Sequence, residues 1–297
     1  MNDIYMECGI SRQAHDQMVK RYQDQELLVP FLIGLIYEVR SMHPGMGLRT
    51  IYEKIQPEGV GRDNFIAIGV QYRLEGEYKA PKTTFSDIHA ASRFTNLLVD
   101  REFNDVNQVW SSDITYYKLK DRFYYISLIM DVFSRRIIGY ELSDNLRAEN
   151  NIRALKMALK TRGIKHYNNG LIHHSDRGSQ YVSKDYLNVL QTYGIQVSMC
   201  RSVYENTHLE RVNRTIKRQY LQKWTISNRY ELRQRLTDAI DAYNYDKPHY
   251  ALNKLTPVDY EISIKSLLKN QYKTLKIYTI DQQEDFTDPS QIRLFYD

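Results

Sequence analysis

Apolar positions along the first quarter of the chain follow a helical rhythm. Leu27, Leu28, Phe31, Leu32, Leu35 and Ile36 recur at three-to-four spacing, which gathers them on one face of a helix. Ser11 stands where a hydroxyl can cap that helix. A break at His43-Pro44-Gly45 follows, then a short amphipathic segment from Gly47 to Ile55, a turn at Gly59 and Gly61, and a further helical piece from about 62 to 74. Short helices separated by such turns suit a small helix-turn-helix-like bundle over residues 1–75. They equally suit a helical cap with no part in nucleic-acid binding. Residues 76–107 are polar with little periodicity and read as a linker.

The texture changes at residue 108. Val109–Tyr117, Phe123–Met130 and Arg135–Leu142 are β-branched and aromatic runs joined by connectors short enough for hairpins. Helices are expected over 150–160 and 184–193, with short strands at 171–174 and 195–199 and helices again over 206–224 and 230–243. Three antiparallel strands followed by alternating strands and helices predict an α/β fold, a mixed sheet with helices on its faces. The expected division is a small all-α module at 1–75, a linker at 76–107, an α/β core at 108–225, and a helical extension with an acidic tail at 226–297.

Composition adds bounds. The 297 residues carry 41 Lys and Arg against 36 Asp and Glu, a net charge of +5, and are 42% hydrophobic and 26% charged, values of a globular chain large enough for about two domains. The longest apolar stretch, Val29 to Tyr37, is interrupted by Pro30 and Gly34 and is far short of the about 20 residues that a membrane span needs. The first residues lack the basic start and apolar core of a signal peptide, and two cysteines, Cys8 and Cys200, cannot build a disulfide framework. The expected compartment is a reducing cytoplasm, without a membrane.

Three acids fall at informative places. Asp113 lies in the first strand, Asp176 follows a short apolar strand, and Glu210 lies in a helix. Two strand-end acids and one helical acid can converge beside a central sheet, where hard oxygen ligands suit Mg²⁺ or Mn²⁺ and two ions can activate an attacking oxygen and stabilise a leaving one. Asp131 also follows an apolar strand, but it precedes Ser134 and Arg135 and reads as a structural turn acid with Arg135 as its partner. No Ser-His-Asp triad, Cys-His pair or phosphate-cradling glycine loop is identifiable. Asn213, Arg214 and Lys217 share the face of Glu210 at helical spacing. From Arg201 to Trp224 six basic residues (201, 211, 214, 217, 218, 223) outnumber two acids, so an acid is embedded in a basic face suited to a nucleic-acid backbone. A solvated helix face would carry the same charges. The tail from Asp281 is acidic.

Three sequence blocks carry a resemblance. Trp110-x-x-Asp113-Ile114-Thr115-Tyr116, His174-Ser175-Asp176-Arg177-Gly178-Ser179-Gln180-Tyr181 and Glu205-Asn206-x-x-x-Glu210-x-x-Asn213-x-Thr215-x-Lys217 resemble the signature blocks of bacterial insertion-sequence transposases, the OrfB-type protein of the insertion-sequence-three family. A fourth, Tyr243-Asn244-x-x-Lys247-Pro248-His249-x-Ala251-Leu252-x-x-Leu255-Thr256-Pro257, resembles that family's C-terminal signature. His43-Pro44-x-x-Gly47-Leu48-Arg49-x-Ile51 is similar to its N-terminal helix-turn-helix module. The likeness runs from about residue 25 to 261 and departs from the family in two places. The 33 residues between Asp176 and Glu210 are slightly fewer than usual, and Arg214 stands where glycine is common.

The resemblance implies an RNase H-like, retroviral-integrase-like core with Asp113, Asp176 and Glu210 as catalytic metal ligands holding Mg²⁺ or Mn²⁺, as two ions. It implies DNA strand cleavage and transfer at the terminal inverted repeats of a mobile element, by water or a 3′-hydroxyl. Double-stranded DNA would be met by Arg201, Arg211, Asn213, Arg214, Lys217 and Arg218. Asn206 and His174 stand beside the site, His174 either approaching the substrate or buried as a structural histidine. The expected assembly is a homo-oligomer on DNA in the bacterial cytoplasm, at the nucleoid, with an upstream-frame helix-turn-helix protein or a frameshift fusion as partner. A nuclease that cuts without joining, and an inactive transposase-derived DNA-binding protein, are the competing readings.

Overall fold

The β-branched and aromatic runs do form strands, because each presents alternate side chains to two apolar layers. In the computed structural model, which describes residues 11–75, 94–166, 170–200, 207–266 and 274–277, the N-terminal helices are α1 (Arg12–Met42), α2 (Leu48–Ile55) and α3 (Arg62–Gln71). Ser11 Oγ accepts from Ala14 N–H at 3.1 Å and caps α1 as its position suggests. Leu32, Ile36, Ile51 and Phe65 are buried together and give these helices an apolar cluster of their own.

Next come β1 (Glu102–Phe103), β2 (Val109–Leu119), β3 (Arg122–Asp131), β4 (Ile137–Ser143), α4 (Ala148–Arg162), β5 (Ile172–Ser175), α5 (Lys184–Thr192) and β6 (Gln196–Met199). The sheet has the order β4-β3-β2-β5-β6. β2 pairs antiparallel with β3 and parallel with β5, and β5 pairs parallel with β6. Three antiparallel strands extended by two parallel ones make the mixed α/β sheet of an RNase H-like core. α6 (Thr207–Thr215) and the π-helical turn Ile216–Leu221 follow, then α7 (Arg229–Tyr245), α8 (Pro257–Lys265) and β7 (Leu275–Lys276), which pairs with β1.

The sheet is covered on both faces. On one side Leu209, Val212, Ile216, Leu232, Leu236 and Ile240 of α6, the π turn and α7 pack with Ile126, Leu128 and Met130 of β3. On the other, Ala154, Leu155 and Ala158 of α4 and Tyr186 and Leu190 of α5 pack with Trp110, Ile129 and Ile138. α7 therefore belongs to the core layer, although the sequence division set it apart at residue 226: its inward stripe is short and its outward face is charged. Residues 94–107 also differ from the linker expected of them. Leu98 and Phe103 are buried in the same cluster as α7, and isolated apolar residues in a polar stretch leave no period to read. The remainder of that linker, 76–93, lies outside the described residues, as do Cys8 and the acidic tail. The helix expected over 206–224 is divided, its first half α-helical and its second π-helical.

Asp131 is structural, with a different partner from the one its sequence suggests. Its carboxylate accepts from the backbone N–H groups of Asn107 (2.7 Å), Phe133 (3.1 Å) and Ser134 (3.1 Å) and lies 3.3 Å from the Arg162 guanidinium. Arg162 and Arg136 also pair with Glu261, tying α8 to the end of β3 and the start of β4. No helix among the described residues is long and apolar enough to cross a membrane.

Gly139 lets α4 press against β4: a Cβ there would lie 2.2 Å from the Ala154 carbonyl oxygen and 3.0 Å from Ala158 Cβ. Gly139→Ala is expected to destabilise the protein by about 3 kcal/mol, as overpacking against backbone does, and urea unfolding followed by circular dichroism measures it. A midpoint equal to that of the unmodified protein would show that the α4–β4 contact is not tight.

Candidate active site

The parallel pairing of β2 with β5 sets two carboxylates side by side. Its last register pair is Ser112 with Ser175, so the next residue on each strand, Asp113 and Asp176, emerges at the point where the ladder ends. Asp113 is half-buried and Asp176 exposed. Asp113 Oδ1 accepts from Ile114 N–H (2.9 Å) and Oδ2 from the Asn213 amide (2.6 Å). Asp176 Oδ1 accepts from Gly178 N–H (3.0 Å). Beneath them, Ser112 Oγ donates to the buried Tyr181 hydroxyl (2.9 Å), so the second sequence block folds back under the first.

α6 brings the third acid. Leu209, Val212 and Ile216 lie in the core, which fixes the rotation of the helix. On that rotation Glu210 is half-buried in the first turn, Asn213 is buried with its amide on Asp113, and Arg211 and Arg214 are exposed. Lys217, one turn beyond Asn213, places its ammonium 3.2 Å from Thr115 Oγ1 and 4.6 Å from the centre of the Tyr116 ring.

Electrostatics link the three acids. Burial pushes the Asp113 carboxyl up to about 7, and the charges of Asp176 and Glu210 push in the same direction, against the Ile114 and Asn213 hydrogen bonds. Partial desolvation raises Asp176, against its Gly178 bond. Glu210 is raised by desolvation and opposed by the Arg214 charge. Lys217 is lowered, mainly by burial and by Arg218 beside it. Perturbed acids of this kind cluster where charge is handled.

The donor set suits a hard divalent cation. Two aspartates emerge from adjacent strand ends, and Asn213 Oδ1 is buried with no hydrogen-bond partner. The side chains are not gathered to ligand distance, and among the described residues no three His, Cys, Asp or Glu form a metal-holding group. Both Asp113 oxygens are engaged by protein donors instead.

The other expected residues divide. Asn213 faces Asp113 rather than solvent. His174 takes its structural alternative, with Nδ1 2.9 Å from Ser198 Oγ and Nε2 3.1 Å from Cys200 Sγ inside the sheet. Arg218 is half-buried next to Lys217. Arg201 and Asn206 lie outside the described residues, with the shortened segment before α6. Thr115 and Tyr116, which hold Lys217, were quoted in the first block without a role. The alternation of β2 puts Thr115 on the face of Asp113 and would have singled it out.

Comparison with known proteins accords with this geometry. Residues 104–204 match one model described as integrase core domain, and residues 193–257 match a second of the same description. The Insertion element IS600 uncharacterized 31 kDa protein of Shigella sonnei is 29% identical over 263 residues, covering 84% of this chain and 94% of that one. Transposase InsF for insertion sequence IS3A of Escherichia coli (strain K12) is 30% identical over 207 residues, 67% of this chain and 70% of that one. Among solved structures, the HTLV-2 integrase catalytic core domain in complex with magnesium aligns with a TM-score of 0.43 and 21% identity, covering 53% of this chain and 97% of that one. The mixed five-stranded sheet, the integrase core matches and the identity to InsF converge: the chain belongs to the IS3-family insertion-sequence transposases.

Proposed function

We propose that this transposase cuts and joins DNA strands at the terminal inverted repeats of its element, with Asp113, Asp176 and Glu210 holding Mg²⁺ or Mn²⁺, as two ions. The observation that carries the reading is the end of the β2–β5 ladder, where two aspartates stand side by side with no arginine or lysine paired to Asp113 among the described residues. Ionising the three acids together is costly, since Arg214 and Lys217 offset only part of their charge, and a bound cation removes that cost. Bound there, the metal would polarise a phosphodiester and lower the pKa of an attacking hydroxyl or water.

The chain's own residues do the rest. The Asn213 amide fixes the Asp113 carboxylate, and Lys217, braced by Thr115 and Tyr116, offers its ammonium to a phosphate. Arg211, Arg214 and Arg218 extend the basic face along the DNA backbone. Arg201 belongs to the same set of DNA contacts, Asn206 supports the acids as a neighbour of the site, and the helical module at 1–75 reads the element end. The working form is a homo-oligomer holding paired ends of double-stranded DNA at the bacterial nucleoid, assisted by an upstream-frame helix-turn-helix protein or a frameshift fusion.

Labelled oligonucleotides carrying the element ends test this with Mg²⁺. The protein is expected to nick them and join them to target DNA, and Asp113→Asn, Asp176→Asn and Glu210→Gln each to lower the rate on the order of a thousandfold, equivalent to about 4 kcal/mol of transition-state stabilisation. Nicking without joining would favour the nuclease reading. End binding with no turnover in any form would favour the inactive one.

A second test needs no DNA. The folded pKa of Asp113 lies above its unfolded value, so its contribution to stability is full in acid and lost as pH rises through about 7. At pH 8 without divalent ions, Asp113→Asn should therefore raise the melting temperature by about 5 °C. Mg²⁺ should raise that of the unmodified protein and leave the variant unchanged. Equal Mg²⁺ responses would remove Asp113 from the metal site.

A further inference from the structure

The corner between α1 and α2, His43-Pro44-Gly45, meets the far end of the active-site helix. Gly45 N–H donates to the Gln219 carbonyl at 2.8 Å. A Cβ at Gly45 would lie 2.5 Å from Gln219 Cα and 2.7 Å from its oxygen, so only glycine permits this approach. His43 is 1% exposed, with both ring nitrogens engaged: Nδ1 is 2.8 Å from the Tyr220 hydroxyl and Nε2 is 2.5 Å from Asp246 Oδ2. Asp246 is acceptor-only when ionised, so Nε2–H donates to it and Nδ1 accepts from Tyr220. One neutral tautomer satisfies all three groups.

α2 adds contacts on the same side. Lys54 pairs with Asp246, Glu53 with Lys254 at 2.6 Å, and the Arg49 guanidinium lies 5.3 Å from the Tyr250 ring centre. The fourth sequence block is thus the seat on which the N-terminal helices rest.

The contact falls on the π-helical turn Ile216–Leu221, an interruption that often marks functional segments. There the Gln219 carbonyl is held by Gly45 and the Leu221 carbonyl by the Tyr117 hydroxyl of β2 at 3.1 Å. One anchor comes from the strand that carries Asp113 and the others from the 43–45 corner. Tyr220 lies ten positions after Glu210, about 15 Å at helical rise, and Lys217 and Asn213 lie between.

We infer that the His43–Gly45 corner is a latch that sets the position of the helix bearing Glu210, Asn213 and Lys217, with His43 as a positioning residue for the DNA reaction. The inference rests on the proposed function for its catalytic consequence and on geometry alone for its structural one. It accounts for the fourth sequence block, which supplies no candidate catalytic acid.

The test uses the full chain and two readouts. Hydrogen–deuterium exchange over residues 207–221 is expected to quicken about tenfold in Gly45→Ala and His43→Ala relative to the unmodified protein. Strand transfer is expected to lose about tenfold in kcat with KM for the end oligonucleotide within about twofold. Tyr220→Phe, which removes one hydroxyl and keeps the ring in its pocket, should reproduce part of the kcat loss and add nothing when combined with His43→Ala. Unchanged exchange and kcat in variants of normal melting temperature would overturn the latch. So would a rise in KM alone, which would make the corner a DNA contact. If the unmodified protein neither nicks nor joins, the proposed function fails, and exchange still decides the latch.

Discussion

The parallel ladder between β2 and β5 ends at Ser112 opposite Ser175, and the next residue on each strand is an aspartate. The proposed site depends on that register. A slip of one residue would turn Asp113 to the opposite face of the sheet, where Ile129, Ile138 and α4 form a packed apolar layer. Trp110, buried on that second face and donating its indole N–H to Asn107 at 3.2 Å, holds the register three residues before Asp113. The antiparallel partner β3 adds Leu128 opposite Asp113. A hydrophobic constraint thus positions a charged group, and the carboxylate itself contributes nothing favourable to folding at neutral pH.

Much of this was legible in the sequence, for identifiable reasons. The strands declared themselves because β2, β3 and β4 carry β-branched and aromatic residues between short polar connectors. The three acids stood out through their places relative to those runs. Long-range pairing was less legible. Arg135, four residues from Asp131, was the natural partner, yet its φ of 59° marks a left-handed turn, and Arg162 from the end of α4 reaches Asp131 instead. The phase change at Ile216 carries no signal, since the residues of a π turn are ordinary helix formers. The seat of the N-terminal helices pairs residues about two hundred positions apart, and nothing local announces it.

The active-site helix reconciles two demands on one face. Leu209, Val212 and Ile216 must face the sheet for the layer to close, which leaves Glu210, Asn213 and Lys217 along the boundary between core and solvent. Asn213 is pulled inward by its bond to Asp113, whereas Lys217 bends toward Thr115 and Tyr116. A basic helix face alone would be unremarkable on a soluble surface. Here its rotation is fixed by burial and its far end by the 43–45 corner, so the charges hold a defined relation to the carboxylates. Holding reactive groups in fixed relation is the part of catalysis that a fold can supply before substrate arrives.

Asp113 and Asp131 make the sharpest comparison in the structure. Both lie on neighbouring strands of one sheet, β2 and β3, and burial pushes both carboxyls up. Asp131 receives three backbone N–H groups and a guanidinium, so its charge is answered from within the protein. Asp113 receives one backbone N–H and one amide, the charges of Asp176 and Glu210 oppose its ionisation, and Lys217 acts on it through space without pairing to it. Replacing the first arrangement would cost stability, as breaking a buried pair does. Replacing the second would relieve repulsion. An acid held beside two others with no cation paired to it suits a site where a bound ion supplies the balance, and this asymmetry separates the structural aspartate from the one proposed to hold metal.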